Sequence, residues 1–516
     1  MARGLMQSVA GTGFSRVMGA FRDIAIGHVF GAGRVSDAFW VAFTVPSVFR
    51  RFVADEGLTG ILVPAIQRAE AEEGQEAGWN LARSALAVLL VACVAICIMG
   101  ILGAPWLVSA FAWGFTSDPE QFQLTVNLTR MLFPFVLLVS LLSWCEGMLN
   151  LRRHFFLPKM APGFVGGAMA CSALLLATHF DEPTYALVVG TLVGGVIQVL
   201  ICLPRVIRTF GLPTPRFQGL GSPRLRGFIK AMGEVAIIGI FAQLNLVVLR
   251  LLASLLEPGS VTHYWYATRI NDLAQGIIAV GVGSAALPEL ASAVAGKDWG
   301  RFRQDLAGAL RLVGVLLIPA AALTYALAMP ITSVLFLHGE FTLEDARQTA
   351  ATLRMMLPFM LALGGIHIFK RAYFALDDRR LLMGVACFGL VLTASLGWFL
   401  STRMGVAGLA LGLSVATTGQ LAAYALMLPR RTGERMGLRS LGGPLLRMAI
   451  AAVPAAVGSA MLASLVSWDG GFSLVNLGVL AAAGLAGLVL YSVLASALGI
   501  AEMQAVLRRL GVRRTA

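Results

Sequence analysis

Four arginines interrupt segments that otherwise suit hydrocarbon. Arg16 and Arg22 lie in "FSRVMGAFRDIAIG" (14–27), Arg50 follows "VAFTVPSVF", and Arg269 sits in "YWYATRIND". An ionised Arg at the centre of a membrane helix costs roughly 2.5–3.5 kcal/mol, so four facing lipid would cost about 10 kcal/mol. They must face water, carboxylates or an anionic ligand. Local acids provide one account: Arg16 and Asp23 are seven apart, Arg51 and Asp55 four, Arg269 and Asp272 three, all near one helix face. An anion site is the other, because the guanidinium fork pairs with phosphate oxygens in a bidentate manner. Singly, each Arg fits either account; grouped in the first, second and eighth apolar segments, they point to an anion site.

Enzyme chemistry finds little support. A membrane phosphatase or glycosyltransferase needs clustered acids for a metal, or a nucleophile with its base. The six His are scattered, and Asp377–Asp378 lies in a basic loop. No GxxxxGK[ST] phosphate loop occurs, so ATP hydrolysis is not expected. The six Cys form no CxxC pair and read as small core residues. Neither a cofactor nor a metal is expected.

The elements that carry these residues follow from composition. Of 516 residues 58% are hydrophobic and 13% charged, against about 25% charged in soluble domains. Windows such as 84–117, 312–339, 404–429 and 470–501 contain no Asp, Glu, Lys or Arg, and each meets the ~20 residues that cross a bilayer. The fold class is therefore all-α and polytopic, with about fourteen spans by that criterion. They are expected near 7–30, 36–62, 83–110, 123–150, 158–179, 184–204, 228–255, 261–291, 305–335, 347–374, 380–401, 405–428, 444–467 and 473–499. No cleavable signal segment is expected. Alternate loops concentrate cations, for instance Arg152, Arg153 and Lys159, then Arg379 and Arg380, while the others carry Asp118, Glu257 and Glu344. The basic set is expected on the cytoplasmic side of the bacterial inner membrane, together with both termini. The net charge of +13 then needs no nucleic-acid partner.

The chain also repeats itself. Arg130 of "RMLFPFVLL" and Arg354 of "RMMLPFMLA" are 224 residues apart, as are Pro64 and Pro288, and Pro105 and Pro330 differ by 225. A duplicated six-helix unit with two spans appended is expected, as 1–210, 225–430 and 444–500. Parallel repeats usually flank a central cavity in transporters.

Residues 14–57, "FSRVMGAFRDIAIGHVFGAGRVSDAFWVAFTVPSVFRRFVADEG", resemble the N-terminal signature of the MurJ (MviN) lipid II flippases. These belong to the multidrug/oligosaccharidyl-lipid/polysaccharide exporter superfamily. "APGF" at 161–164, "HGEFT" at 338–342 and "YFALDDRR" at 373–380 extend the likeness over essentially the whole chain. The resemblance implies two six-helix lobes around a central cavity, and two extra helices forming a groove for a polyprenyl tail. It implies a diphosphate site at Arg16, Arg22, Arg50 and Arg269, with Asp23 and Asp37 as functional acids. The chain departs from the family in reading "RRFVADEG", so the acidic role falls to Asp55 or Glu56. Thr268 replaces an Asp that commonly precedes the eighth-span Arg.

The function expected is lipid II flipping from the cytoplasmic to the periplasmic leaflet by alternating access, with lipid II and membrane lipids as partners. Membrane potential or an unidentified coupling ion would drive it, and a monomer would suffice. The alternatives are export of another polyprenyl-linked oligosaccharide or of a drug, and, further off, an enzyme acting on polyprenyl phosphates. Whether the last two spans hold a lipid tail or only pack on the second lobe stays open.

Overall fold

The computed structural model describes residues 2–53, 56–217, 223–282, 286–432 and 441–509. Two compact units emerge from the packing, Met1–Val261 and Thr262–Ala516. The first contains α1 (Ala2–Phe30), α2 (Arg34–Val53), α3 (Glu56–Glu73), α4 (Gln75–Leu102), α5 (Ala104–Phe111), α6 (Pro119–Leu132) and α7 (Pro134–Leu151). It continues with α8 (Phe156–Met160), α9 (Pro162–Leu176), α10 (Tyr185–Phe210) and α11 (Pro223–Ser254). Helix α12 (Ser260–Val282) begins at the unit boundary. After it come α13 (Ala286–Ala295), α14 (Trp299–Ala326), α15 (Ala328–Phe336), α16 (Leu343–Ala375), α17 (Arg379–Thr432), α18 (Gly442–Ala463), α19 (Leu474–Ala497) and α20 (Ala501–Arg509).

Among the described residues, nine helical segments are long and apolar enough to cross a membrane. Several expected spans are broken helices. The third is α4 and α5, divided at Gly103, and the ninth is α14 and α15, divided at Leu327. Pro105 and Pro330 sit in the first turns of α5 and α15, where a missing N–H costs no hydrogen bond. The opposite departure is α17, whose 54 residues contain two expected spans. Its chain turns at Gly405, with φ 58° and ψ −140°, a conformation that an L side chain resists. The two halves fold back on each other: Gln420 Nε2 donates to the Val385 carbonyl at 3.1 Å, and a Cβ at Gly412 would lie 2.6 Å from Gly397 Cα.

Two of the repeat-related positions make matching contacts. Arg130 Nε donates to the Ile101 carbonyl at 3.3 Å, and Arg354 Nε donates to the Tyr325 carbonyl at 3.3 Å. Donors and acceptors are both 224 apart, and each Arg caps the last turn of the preceding long helix.

In the first unit α1 packs on α8 and α9, α2 on α6, α3 on α4 and α7, and α11 on α2 and α3. Gly190 and Gly194 let α10 press against α9: added Cβ atoms would lie 2.7 Å from Met169 Cα and 2.6 Å from Val165 Cα, the close approach that four-residue glycine spacing permits. The second unit packs α16 on α17, α14 on α18 and α18 on α19. Buried Tyr491 of α19 donates its hydroxyl to the Val315 carbonyl of α14 at 3.1 Å. Among the described residues, one face of α18 and α19 stays apolar and uncovered, with Val453, Val457, Leu485 and Val489 exposed.

Candidate functional site

Each cationic position takes its setting from the helix that holds it. On α1, Arg22 is the buried one. Its Nη2 and Nε donate to Asp23 Oδ1 at 2.7 and 2.9 Å, with 11% and 5% of the two side chains exposed. The guanidinium carbon lies 5.6 Å from the Trp40 ring centroid and 5.9 Å from that of Phe43, both on α2. Aromatic faces, negative in their quadrupole, and a carboxylate thus replace water around the charge. Arg16, two turns earlier, is exposed and forms no ion pair among the described residues. The spacing-based pairing of Arg16 with Asp23 is therefore replaced by one between sequence neighbours. Adjacent helical residues diverge by about 100°, but the long Arg side chain bends back across that angle.

Asp37, in the first turn of α2, is 2% exposed and accepts the Gly259 N–H at 2.7 Å. That bond pins the turn before α12, where Gly259 adopts φ 92°. Arg50 lies in the last turn of α2 and Glu56 opens α3, but both side chains, with Arg51 and all of Asp55, fall outside the described residues.

Helix α12 presents Arg269 beside Asp272 at 3.8 Å, the expected three-residue pair, with the guanidinium 4.2 Å from the Trp265 ring centroid. Its first turns are tied to α16: His263 Nε2 meets Asp345 Oδ1 at 3.0 Å. Asp345 also closes a capping box with Thr342. Thr268, at the position where the family commonly carries Asp, instead donates to the Tyr264 carbonyl at 2.8 Å. The structure thus groups Arg22 with Asp23, and Arg269 with Asp272. Sequence reasoning passed over Arg250, which is 2% exposed on α11 and donates to the Val261 carbonyl at 3.3 Å. A lone Arg inside the seventh expected span is the signal that would have found it.

A family model described as "Lipid II flippase MurJ" matches residues 26–479. The chain belongs to the lipid II flippase MurJ family. A relative from Burkholderia cenocepacia, "Lipid II flippase MurJ", is 30% identical over 419 residues, covering 80% of this chain and 81% of its own. Another from Bdellovibrio bacteriovorus, "Probable lipid II flippase MurJ", is 30% identical over 474 residues, covering 89% and 87%. The fold matches a structure described as "Lipid II flippase MurJ, inward closed conformation" with a TM-score of 0.76, at 20% identity over 98% of this chain and 99% of that one. An inward-facing multidrug transporter of the wider superfamily follows at a TM-score of 0.62 and 15% identity, covering 82% and 99%. The MurJ assignment covers both units and reaches into α19.

Proposed function

We propose that this chain is a lipid II flippase of the bacterial inner membrane, carrying the polyprenyl-diphosphate-linked peptidoglycan precursor to the periplasmic leaflet. Membership of the MurJ family, over residues 26–479, is the observation that carries the reading. The chemistry agrees with it. The headgroup is too polar for hydrocarbon, and its diphosphate demands fixed cations, which α1, α2 and α12 supply. On this reading Arg16, Arg22, Arg50 and Arg269 share the diphosphate, and Asp23, Asp37 and either Asp55 or Glu56 keep the cations oriented between turnovers. The lobes are residues 1–210 and 225–430, the termini are cytoplasmic, and 444–500 shelter the tail against the apolar face of α18 and α19. The work is transport by alternating access, with no bond made or broken.

The test is complementation in cells depleted of their own lipid II flippase. Arg16→Ala, Arg22→Ala, Arg50→Ala and Arg269→Ala should each fail at normal expression. Full rescue by Lys at all four positions would refute bidentate recognition, and growth of all four Ala variants would refute the site.

A further inference from the structure

Helix α16 carries three basic residues on one face, His367, Lys370 and Arg371, at spacings of three and four, so they are neighbours on its surface. His367 is exposed, Lys370 and Arg371 are half-buried, and Phe374 beyond them is exposed. Neither His367 nor Lys370 has a hydrogen-bond or ion-pair partner among the described residues. Of the acids that follow, Asp377 meets Arg379 at 3.3 Å and Asp378 accepts the Leu381 N–H at 3.1 Å.

The duplicated unit makes this telling. Subtracting 224 from Lys370 leads to Glu146 of α7, which pairs with Lys159 at 2.6 Å. The first copy neutralises its charge at this level from within the chain. In the second copy the acid has become a base and position 383, equivalent to Lys159, is Met. Among the described residues, no acid stands in for Glu146 or Lys159 beside Lys370.

Depth narrows its nature. The 33 residues of α16 span about 50 Å, and a ~30 Å hydrocarbon core leaves about 10 Å of helix at either end. Lys370 and Arg371 lie within five residues of the last one, Ala375, so centring α16 on the hydrocarbon core puts them at the level of lipid phosphates. We propose that His367, Lys370 and Arg371 form a second anion site that binds the phosphate of a lipid in the leaflet at the C-terminal end of α16. The occupant is either the diphosphate of the transported lipid, held before it reaches the arginines of α1, α2 and α12, or the phosphodiester of a bulk anionic phospholipid. The first case rests on the flippase reading; the second does not.

The experiment uses the full chain in phosphatidylcholine nanodiscs doped with undecaprenyl diphosphate in one set and phosphatidylglycerol in another. Mass spectrometry measures the doped lipid that remains with the protein after extraction. Lys370→Gln should lower retention about five-fold, the worth of one basic residue near a membrane surface, and Lys370→Arg should restore it, which excludes misfolding. A loss confined to the diphosphate lipid makes the substrate the occupant; a loss confined to phosphatidylglycerol supports the site with bulk lipid in it. Equal retention by Lys370→Gln and the unsubstituted protein for both lipids overturns the proposal. An Arg22→Ala arm separates the two readings: the Lys370 effect should persist there even if the flippase reading fails.

Discussion

Arg22 is a substrate ligand under the proposed function, but its geometry also makes it half of a buried ion pair, and the two roles can be measured apart. Arg22→Ala would leave the Asp23 carboxylate, only 3% exposed, without the two N–H donors that reach it at 2.7 and 2.9 Å. Removing one partner of a buried pair typically costs about 3–5 kcal/mol. Contact with Trp40 and Phe43 at 5.6 and 5.9 Å adds about 0.5–2 kcal/mol that only the Arg substitution loses. Asp23→Ala should therefore be somewhat milder than Arg22→Ala. The double variant should recover much of the loss, since neither charge is then stranded. The assay is equilibrium unfolding in mixed micelles, followed by circular dichroism, on all four members of the cycle. A coupling of about 2 kcal/mol is expected, well clear of the ~0.6 kcal/mol typical of neutral hydrogen bonds between membrane helices. If the two single losses simply add, the pair is not a structural unit, and the reasoning from its short distances and burial is wrong.

Three further outcomes follow from other contacts. Because Arg130 and Arg354 cap repeat-related helix ends at the same distance, replacing either by Ala should cost about 0.3–1 kcal/mol; unfolding midpoints that differ widely between the two would deny their equivalence. Arg224, which chelates Glu72 and Glu73 at 2.7 Å, holds the Glu73 carboxyl below its ordinary value of 4.5. A depressed acid stabilises its contact above the unfolded value and loses it as pH falls through the folded one. Spin labels on α3 and α11 should thus keep their separation through pH 4.5 and part only in stronger acid, whereas parting above pH 5 would contradict the assignment. Finally, Leu485→Gln, on the exposed face of α19, should weaken binding of long-tailed lipid II without unfolding the protein; unchanged affinity would leave that face without a tail.

Much of the fold was legible in the sequence because charge-free runs and proline positions act locally. Arg130, Arg354, Pro105 and Pro330 stood out at matching spacing in the sequence, and each lies at or bonds to a helix end in the structure. Helix breaks inside the third and ninth spans were less visible: hydropathy is continuous across Gly103 and Leu327, and only the capping geometry divides them. At the site, the Arg269–Asp272 pair followed from helical spacing, but the Arg22–Asp23 pair did not, because spacing rules place Cβ atoms and ignore the reach of a four-bond side chain. Arg250 escaped for a related reason. Its acceptor is a carbonyl eleven residues on, and a search for acids at three, four or seven residues passes over it.

The turn at Gly405 bears on how the chain is threaded into the bilayer as it is made. Straightened, α17 would run about 80 Å, far beyond any membrane's thickness, and would cross once instead of twice. Each crossing reverses the side on which everything downstream emerges. A single residue able to hold φ 58° therefore sets the parity of the C-terminal topology, including which side α18 enters from and where the basic tail beyond α19 comes to rest. Loss of this bend would be an error of orientation and not one of packing. The halves on either side of the bend are tightly nested, with Gly397 against Gly412, so close packing holds the reversed pair together once the bend is made.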